Sequence, residues 1–238
     1  MKKVIFITPA FNAESHVEEL IESMLEQTNP NWQLVFIDDM SEDNTCDIVK
    51  KFASKDKRIQ LVENNTKKWA LRNVVENARQ FESEEDTILA VIDGDDALCN
   101  ENTVDILIRE YSKDEEIDAV WTSHSWDINS MNISRELPQD PRVNPYQYPW
   151  VSSHLKTWRA SMLSKITDKN FKDLDGEWFK RGYDQALYLP ILYLSRKRKH
   201  VDEICYLYRI NSNSIKKRVW GEKTQLDTVR LVRSRGLI

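Results

Sequence analysis

The chain has 238 residues, is 40% hydrophobic and 31% charged, and carries a formal net charge of −5. Such a chain is ordered and globular, and it can bury a full core without staples. Three cysteines without a Cys-x-x-Cys pair argue against a disulfide framework or structural zinc, and five glycines cannot spell a dinucleotide fingerprint or a P-loop.

Val4–Thr8 reads as a buried strand ended by Pro9, followed by a helix over 15–27 with Val17, Leu20, Ile21, Met24 and Leu25 at helical spacing. Gln33–Asp38 is a second buried strand, and 45–53 a helix capped by Ser41 or Asn44. A short strand over 59–63, a helix over 69–81 and a strand over 87–92 come next. That last strand runs into Asp93-Gly94-Asp95-Asp96; a helix over 103–111 and a strand over 119–122 follow. Strands alternating with helices predict βαβ units and a mainly parallel sheet. Residues 126–150 hold Pro138, Pro141, Pro145 and Pro149 with little periodicity, which suits a functional loop or hinge. Helices near 159–166 and 184–194, the second kinked or late because of Pro190, and a strand over 204–209 complete the body.

The start, Met1-Lys2-Lys3 before Val4–Ile7, resembles a signal peptide only until Asn12, Glu14 and Glu18 interrupt it. No apolar run approaches the roughly 20 residues that span a bilayer, and the odd number of cysteines makes a reducing, cytoplasmic location the expectation. Charge is uneven: twelve Lys/Arg against four acids from Arg196 onward make that segment +8, leaving −13 on the rest. A basic C-terminal end suits peripheral contact with an anionic membrane face or a nucleic acid, although a solvated last helix explains it equally well.

Ligands of open α/β sheets bind beyond the strand carboxyl ends, where Thr8–Asn12, Asp38-Asp39 and Asp93–Asp96 lie. Clustered carboxylates call for a hard divalent cation, so the Asp93–Asp96 turn is a candidate Mg²⁺ or Mn²⁺ site with phosphate as co-ligand. Gly94 would let the backbone turn sharply.

In order, Ile7-Thr8-Pro9-Ala10-Phe11-Asn12-x-Glu14, Val35–Asp39 with Ser41, Asp43 and Thr45, Arg72-Asn73, Asp93–Asp96, Gly182-Tyr183-Asp184 and Leu207–Asn211 with Asn213-Ser214 resemble the family 2 glycosyltransferases. The resemblance covers roughly residues 4–215 and implies a single GT-A-type α/β domain with a Rossmann-like sheet. Residues 1–125 would form its nucleotide-sugar-binding half, 126–215 its acceptor and catalytic-base half, and 216–238 a basic C-terminal helix. It also implies inverting transfer from a UDP-sugar to a hydroxyl of a glycan, lipid-linked saccharide or other polymer, with Mn²⁺ or Mg²⁺.

By the same resemblance, Pro9, Phe11 and Glu14 frame the base and ribose, and Asp39 accepts from the uracil imide. Arg72 lies near the base or diphosphate, Asp93 supports the turn, and Asp95 and Asp96 contact ribose and metal. His154 either touches a phosphate or the metal or is a structural histidine. Asp184 is the catalytic base, at a helix N-terminus whose dipole favours a carboxylate, with Asp175 and Glu177 as runners-up. Aromatics of the second half, among them Trp178 and Tyr183, supply core packing and some of an acceptor groove. A sugar nucleotidyltransferase would want a glycine-rich, basic loop after the first strand, and Thr8–Ala13 has no Gly, Lys or Arg. A nucleotide-binding module without turnover is the other alternative.

Overall fold

The structure, a computed structural model, describes residues 2–140, 142–210 and 212–238, with the backbone alone over 212–223. The first part holds β1 (Lys3–Ala10), α1 (Val17–Leu25), β2 (Trp32–Asp38), α2 (Thr45–Ala53), β3 (Ile59–Glu63), α3 (Trp69–Ala78) and β4 (Thr87–Val91). Then come β5 (Ala97–Leu98), α4 (Thr103–Lys113), β6 (Ile117–Trp126), β7 (Lys156–Arg159), α5 (Tyr183–Leu194), β8 (Lys197–Tyr208) and α6 (Ser212–Arg235). One mixed sheet runs β3-β2-β1-β4-β7-β6-β8-β5. β3, β2, β1 and β4 are mutually parallel, β7 is antiparallel to both neighbours, and β6 and β8 are parallel. Strands from both halves of the chain share this sheet.

Period-two alternation divides the core into two layers. Ile5, Ile7, Val35, Ile37, Leu89 and Val91 face one side with Leu71 and Val75 of α3 and Leu187 and Ile191 of α5. Val4, Phe6, Leu34, Phe36, Ile88 and Ala90 face the other with Leu20 and Met24 of α1, Val49 of α2 and Leu107 of α4. Every one of these side chains is buried.

Several expectations are corrected. Pro9 lies within β1 rather than ending it. The carbonyls of Ile7 and Pro9 face the β4 side, where β4 has already ended, so the missing N–H of Pro9 removes no ladder bond. Neither Ser41 nor Asn44 caps α2 by its side chain; Asp43 Oδ1 accepts from Thr45 N at 3.1 Å instead. Residues 160–165 form a 3-10 turn, and α5 starts at Tyr183 and continues through Pro190 among buried neighbours. Two strands escaped the sequence: β5 has only two residues, and β7 reads Lys-Thr-Trp-Arg although all four are buried. Its Arg159 spends Nε on the Ile117 carbonyl at 2.8 Å. The 126–150 stretch packs Leu137 and Tyr146 into the core, and none of its described residues lines the cavity described below; Pro141 lies outside the described residues.

Four basic side chains of the C-terminal segment serve as internal wiring. Arg196 pairs with Asp118 at 2.6 Å, Arg198 donates to the Leu192 and Val143 carbonyls, and Arg233 to those of Tyr146 and Tyr148. Arg235 donates to the Lys172 and Asn170 carbonyls. The side chains of Lys216, Lys217, Arg218, Trp220 and Lys223 lie outside the described residues, so any surface contact made through them does too, as does Asn211 of the last motif.

Glu110 ties α4 to β8. Its buried carboxylate lies 2.6 Å from both Lys113 Nζ and Lys199 Nζ. Burial pushes the carboxyl up, but these ammonium groups and Arg109 outweigh it and hold it at about 2. A depressed carboxyl contributes stability above its unfolded value of 4.5, lost as pH falls towards 2. Discounted for the half-exposed lysines, Glu110→Gln is expected to cost about 2 kcal/mol at pH 7. Urea titrations at pH 7 and at pH 3 check this, and the difference should shrink at the lower pH. Equal midpoints at pH 7 would show that the ion pairs contribute nothing.

Candidate active site

Parallel alignment of β2, β1 and β4 sets three loops side by side at their carboxyl ends. Asp39 N donates to the Ala10 carbonyl at 2.8 Å, and Gly94 N to that of Pro9 at 3.3 Å. A Cβ on Gly94 would lie 2.5 Å from Ala10 Cβ, so glycine serves close approach of the acidic turn to β1. The chain turns sharply there as expected, Asp96 N donating to the Asp93 carbonyl at 3.0 Å, although the φ of Gly94 is not positive. Asn12, Met40 and Trp69, in the segments after β1, β2 and β3, all have positive φ. For a bulky tryptophan that is genuine strain, of the kind that gathers at functional sites.

A cavity of about 510 Å³ opens above these loops. Pro9, Phe11 and Asp39 line it together with Asp93, Asp95, Tyr183, Asp184 and Arg209. Lys67 and Trp69, and the exposed Lys180 and Arg181, complete the rim. Most of the expected residues are thus brought together: Pro9, Phe11, Asp39, Asp93, Asp95 and Asp184.

Asp39 is buried, and its carboxylate already holds the start of α3. Oδ1 accepts from Lys68 N at 2.8 Å and Asn64 Nδ2 at 2.9 Å, and Oδ2 from Trp69 N at 2.9 Å. Burial raises the carboxyl, but these N–H donors outweigh it and hold it below the ordinary carboxylate range. Lys67 Nζ donates to the Asp39 carbonyl at 2.9 Å and lies over the Phe11 ring, joining the first and third loops.

The acidic turn divides its labour differently from expectation. Asp96, expected as a metal ligand, is 1% exposed; Oδ2 accepts from Tyr206 Oη at 2.7 Å and Oδ1 from Arg209 N at 2.8 Å. Burial and its acidic neighbours push this carboxyl well up. It anchors the turn to β8 and does not line the cavity, whereas Asp95, whose carbonyl accepts from Arg209 Nη1 at 2.9 Å, does. Asp93 accepts from Tyr183 Oη. Burial, with Asp184 and Asp95 adding, pushes Asp93 up to about 7 against Lys156 and Tyr183.

Three other expectations move. Glu14 does not line this cavity; it accepts from Asn44 N at 3.1 Å and Nδ2 at 2.6 Å, stapling the first loop to the second. Arg72 points along α3 to Glu76 at 2.6 Å, as an i,i+4 pair outside the cavity. His154 is buried, its ring stacked 4.6 Å from Tyr206 and 4.9 Å from Tyr208. Burial, with Lys156 and His124 adding, depresses its imidazole well below the ordinary range and keeps it neutral. The runner-up bases sit on an exposed turn, where Asp175 N and Glu177 N donate to Asp173 Oδ1.

Asp184, in the first turn of α5, takes a 2.6 Å contact from Lys156 Nζ, whose side chain is 1% exposed. Asp93, His154 and Asp184 each offer a ligand atom within 4.8 Å of the others, and by donor type such a group could hold a metal ion. A second cavity, of about 530 Å³, adjoins the first through Trp69, Lys180 and Arg181 and is also lined by Trp178, Asp173, Glu177 and Asp227.

The model of Glycosyl transferase family 2 matches residues 5–180. The chain belongs to that family. Glycosyltransferase GlyA of Streptococcus pneumoniae is 24% identical over 93% of this chain and 32% of its own length. The putative teichuronic acid biosynthesis glycosyltransferase TuaG of Bacillus subtilis is 34% identical over 39% of this chain and 36% of its own. The chain thus spans about a third of these two relatives. Among solved structures, S. aureus TarS 1–349 in complex with UDP superposes at TM-score 0.67, with 18% identity over 97% of this chain and 65% of its own. Mannosyltransferase PcManGT of Pyrobaculum calidifontis, in complex with GDP-Man and Mn²⁺, gives 0.68, with 18% identity over 98% and 64%. The fold of this family 2 member is the GT-A fold, and no helix among its described residues is long and apolar enough to cross a membrane.

Of the residues that line or underlie the cavity, Lys67, Trp69, Lys156 and Tyr206 had no sequence signal of their own. Arg209 lay inside the last family-like motif without an assigned role.

Proposed function

We propose that this chain transfers a sugar from a UDP-sugar to a hydroxyl of a saccharide acceptor, with inversion and with Asp184 as general base. The observation that carries it is one cavity lined together by Phe11 and Asp39 after β1 and β2, by Asp93 and Asp95 after β4, and by Asp184 of α5. TarS was solved with UDP and with UDP-GlcNAc, which supports a uracil donor.

The base would lie beside Phe11 and Lys67, its imide N–H donating to Asp39, and the diphosphate would face Arg209, Lys180 and Arg181. Asp95 would hold a divalent ion, since Mg²⁺ and Mn²⁺ favour one or two carboxylates together with substrate phosphates. When bound, the ion offsets negative charge on the diphosphate. The acceptor hydroxyl attacks the anomeric carbon as the bond to the β-phosphate oxygen breaks. UDP leaves with that electron pair, and the hydroxyl proton passes to Asp184. The adjoining cavity supports placing the acceptor there, with Trp69 and Trp178 as stacking faces and Asp173, Glu177 and Asp227 to accept sugar hydroxyls.

Slow hydrolysis of UDP-sugars with Mn²⁺ tests the donor without a known acceptor, and calorimetry of UDP against GDP tests the base. EDTA should weaken UDP binding, and Asp95→Ala should abolish the metal-dependent gain. Asp96→Ala should chiefly lower the melting temperature, because it strips a buried turn of two bonds. EDTA without effect on binding and turnover would remove the ion from the proposal. Hydrolysis of GDP-sugars alone would overturn the uracil assignment.

A further inference from the structure

Behind Asp184, which lines the cavity, lies a buried ammonium. β7 lies between β4 and β6, with Lys156 in register with Val91 on one side and Trp121 on the other. Its ammonium is therefore delivered from the middle of the sheet, with the residue 0% exposed. Nζ reaches Asp184 Oδ1 at 2.6 Å and His154 Nδ1 at 3.2 Å and lies 5.9 Å from the Tyr183 ring centroid. These partners include two of the three residues whose donor atoms converge as a metal ion would require. An ion ligated by the same two atoms would need the space that Nζ fills. Two cations so close in a desolvated pocket repel strongly.

From this we infer that Lys156 is the built-in cation of the Asp93–His154–Asp184 group, so that this group excludes a divalent ion and any metal bound with donor rests on Asp95. The inference deepens the proposed function, because it divides the positive charge of the site between a permanent ammonium under Asp184 and an exchangeable ion beside the diphosphate. Burial of an unpaired ammonium is costly, and the contacts with Asp184 and neutral His154 satisfy it. Lys156 also orients Asp184: with Oδ1 committed to the lysine, Oδ2 is the oxygen left to meet an acceptor proton. Lys156 is thus a positioning residue.

The test is a Mn²⁺ titration followed by electron paramagnetic resonance, without nucleotide, on wild type, His154→Ala, Lys156→Met and the double variant. Methionine keeps an unbranched side chain of similar bulk and removes the charge. Wild type and His154→Ala should bind Mn²⁺ alike. Lys156→Met should bind it tighter by about tenfold or more, and the double variant should lose that gain. A wild-type affinity that falls on His154→Ala would overturn the inference even if Lys156→Met fails to fold. A folded Lys156→Met without added affinity would overturn it too. UDP calorimetry on the same wild-type sample keeps the two claims apart: absent UDP binding sinks the donor assignment, whereas the Mn²⁺ series alone decides Lys156.

Discussion

Asp184→Asn should retain UDP-sugar affinity and lose about 10²–10⁴-fold in transfer rate, the usual penalty for removing a general base. The amide keeps the size of the side chain, and its carbonyl oxygen can still accept from Lys156 Nζ, which now lies 2.6 Å from Oδ1. It cannot take the acceptor proton at neutral pH. Because the lysine loses its counter-charge, a lower melting temperature is expected alongside. The informative measurement is therefore kcat with donor binding held in view, made below the melting temperature of the variant. Asp175→Asn, on an exposed turn and outside the lining of both cavities, should leave kcat within a few-fold of wild type. Loss of donor affinity together with rate would make Asp184 a donor-binding residue, and undiminished transfer would move the base elsewhere.

The second large effect is expected at Asp39. Its carboxylate accepts two backbone N–H groups at the start of α3 and an Asn64 amide, all within 3 Å. Asp39→Ala leaves those donors without their acceptor in a buried place, and the loss of stability should reach about 2–4 kcal/mol. Nor is Asp39→Asn conservative, since its NH₂ must face an N–H on one side. Absolute affinity for UDP will fall in either variant for reasons unrelated to recognition, because Trp69 and Lys67 move with α3. The discriminating quantity is the ratio of UDP to GDP affinity. If Asp39 reads the uracil imide, the ratio should fall towards unity in both variants. A ratio that survives while both affinities drop would reduce Asp39 to a helix cap.

The outline of the fold was legible because it depends on local periodicity. Continuous apolar strands such as Val4–Ile7 and helices with apolar residues three and four apart announce a parallel α/β sheet. Three acidic or polar loops at the strand ends then follow from chain order alone, and they do meet around one cavity. Short or polar elements were not legible. Two-residue β5 has no period, and β7 disguises a buried strand as a charged one, because Lys156 and Arg159 find partners on elements distant in sequence.

Chain order and residue type were therefore enough for the family and for placing Asp39 after β2 and Asp184 on α5 in candidate positions, since each is carried by a contiguous motif. Only the folded chain could assign tasks among neighbouring carboxylates. Asp95 and Asp96 are adjacent in sequence, yet β8 brings Tyr206 and Arg209 N onto Asp96 and leaves Asp95 beside the cavity. Glu14 and Arg72 belong to family-like motifs, but a loop staple and a helical ion pair claim them locally. Lys156 carries no motif; its importance arises where the middle of the sheet meets the first turn of α5, 28 residues further along the chain. Burial and charge pairing between distant segments are properties of the tertiary structure, and they decide which ionisable side chains face a ligand and which hold the fold.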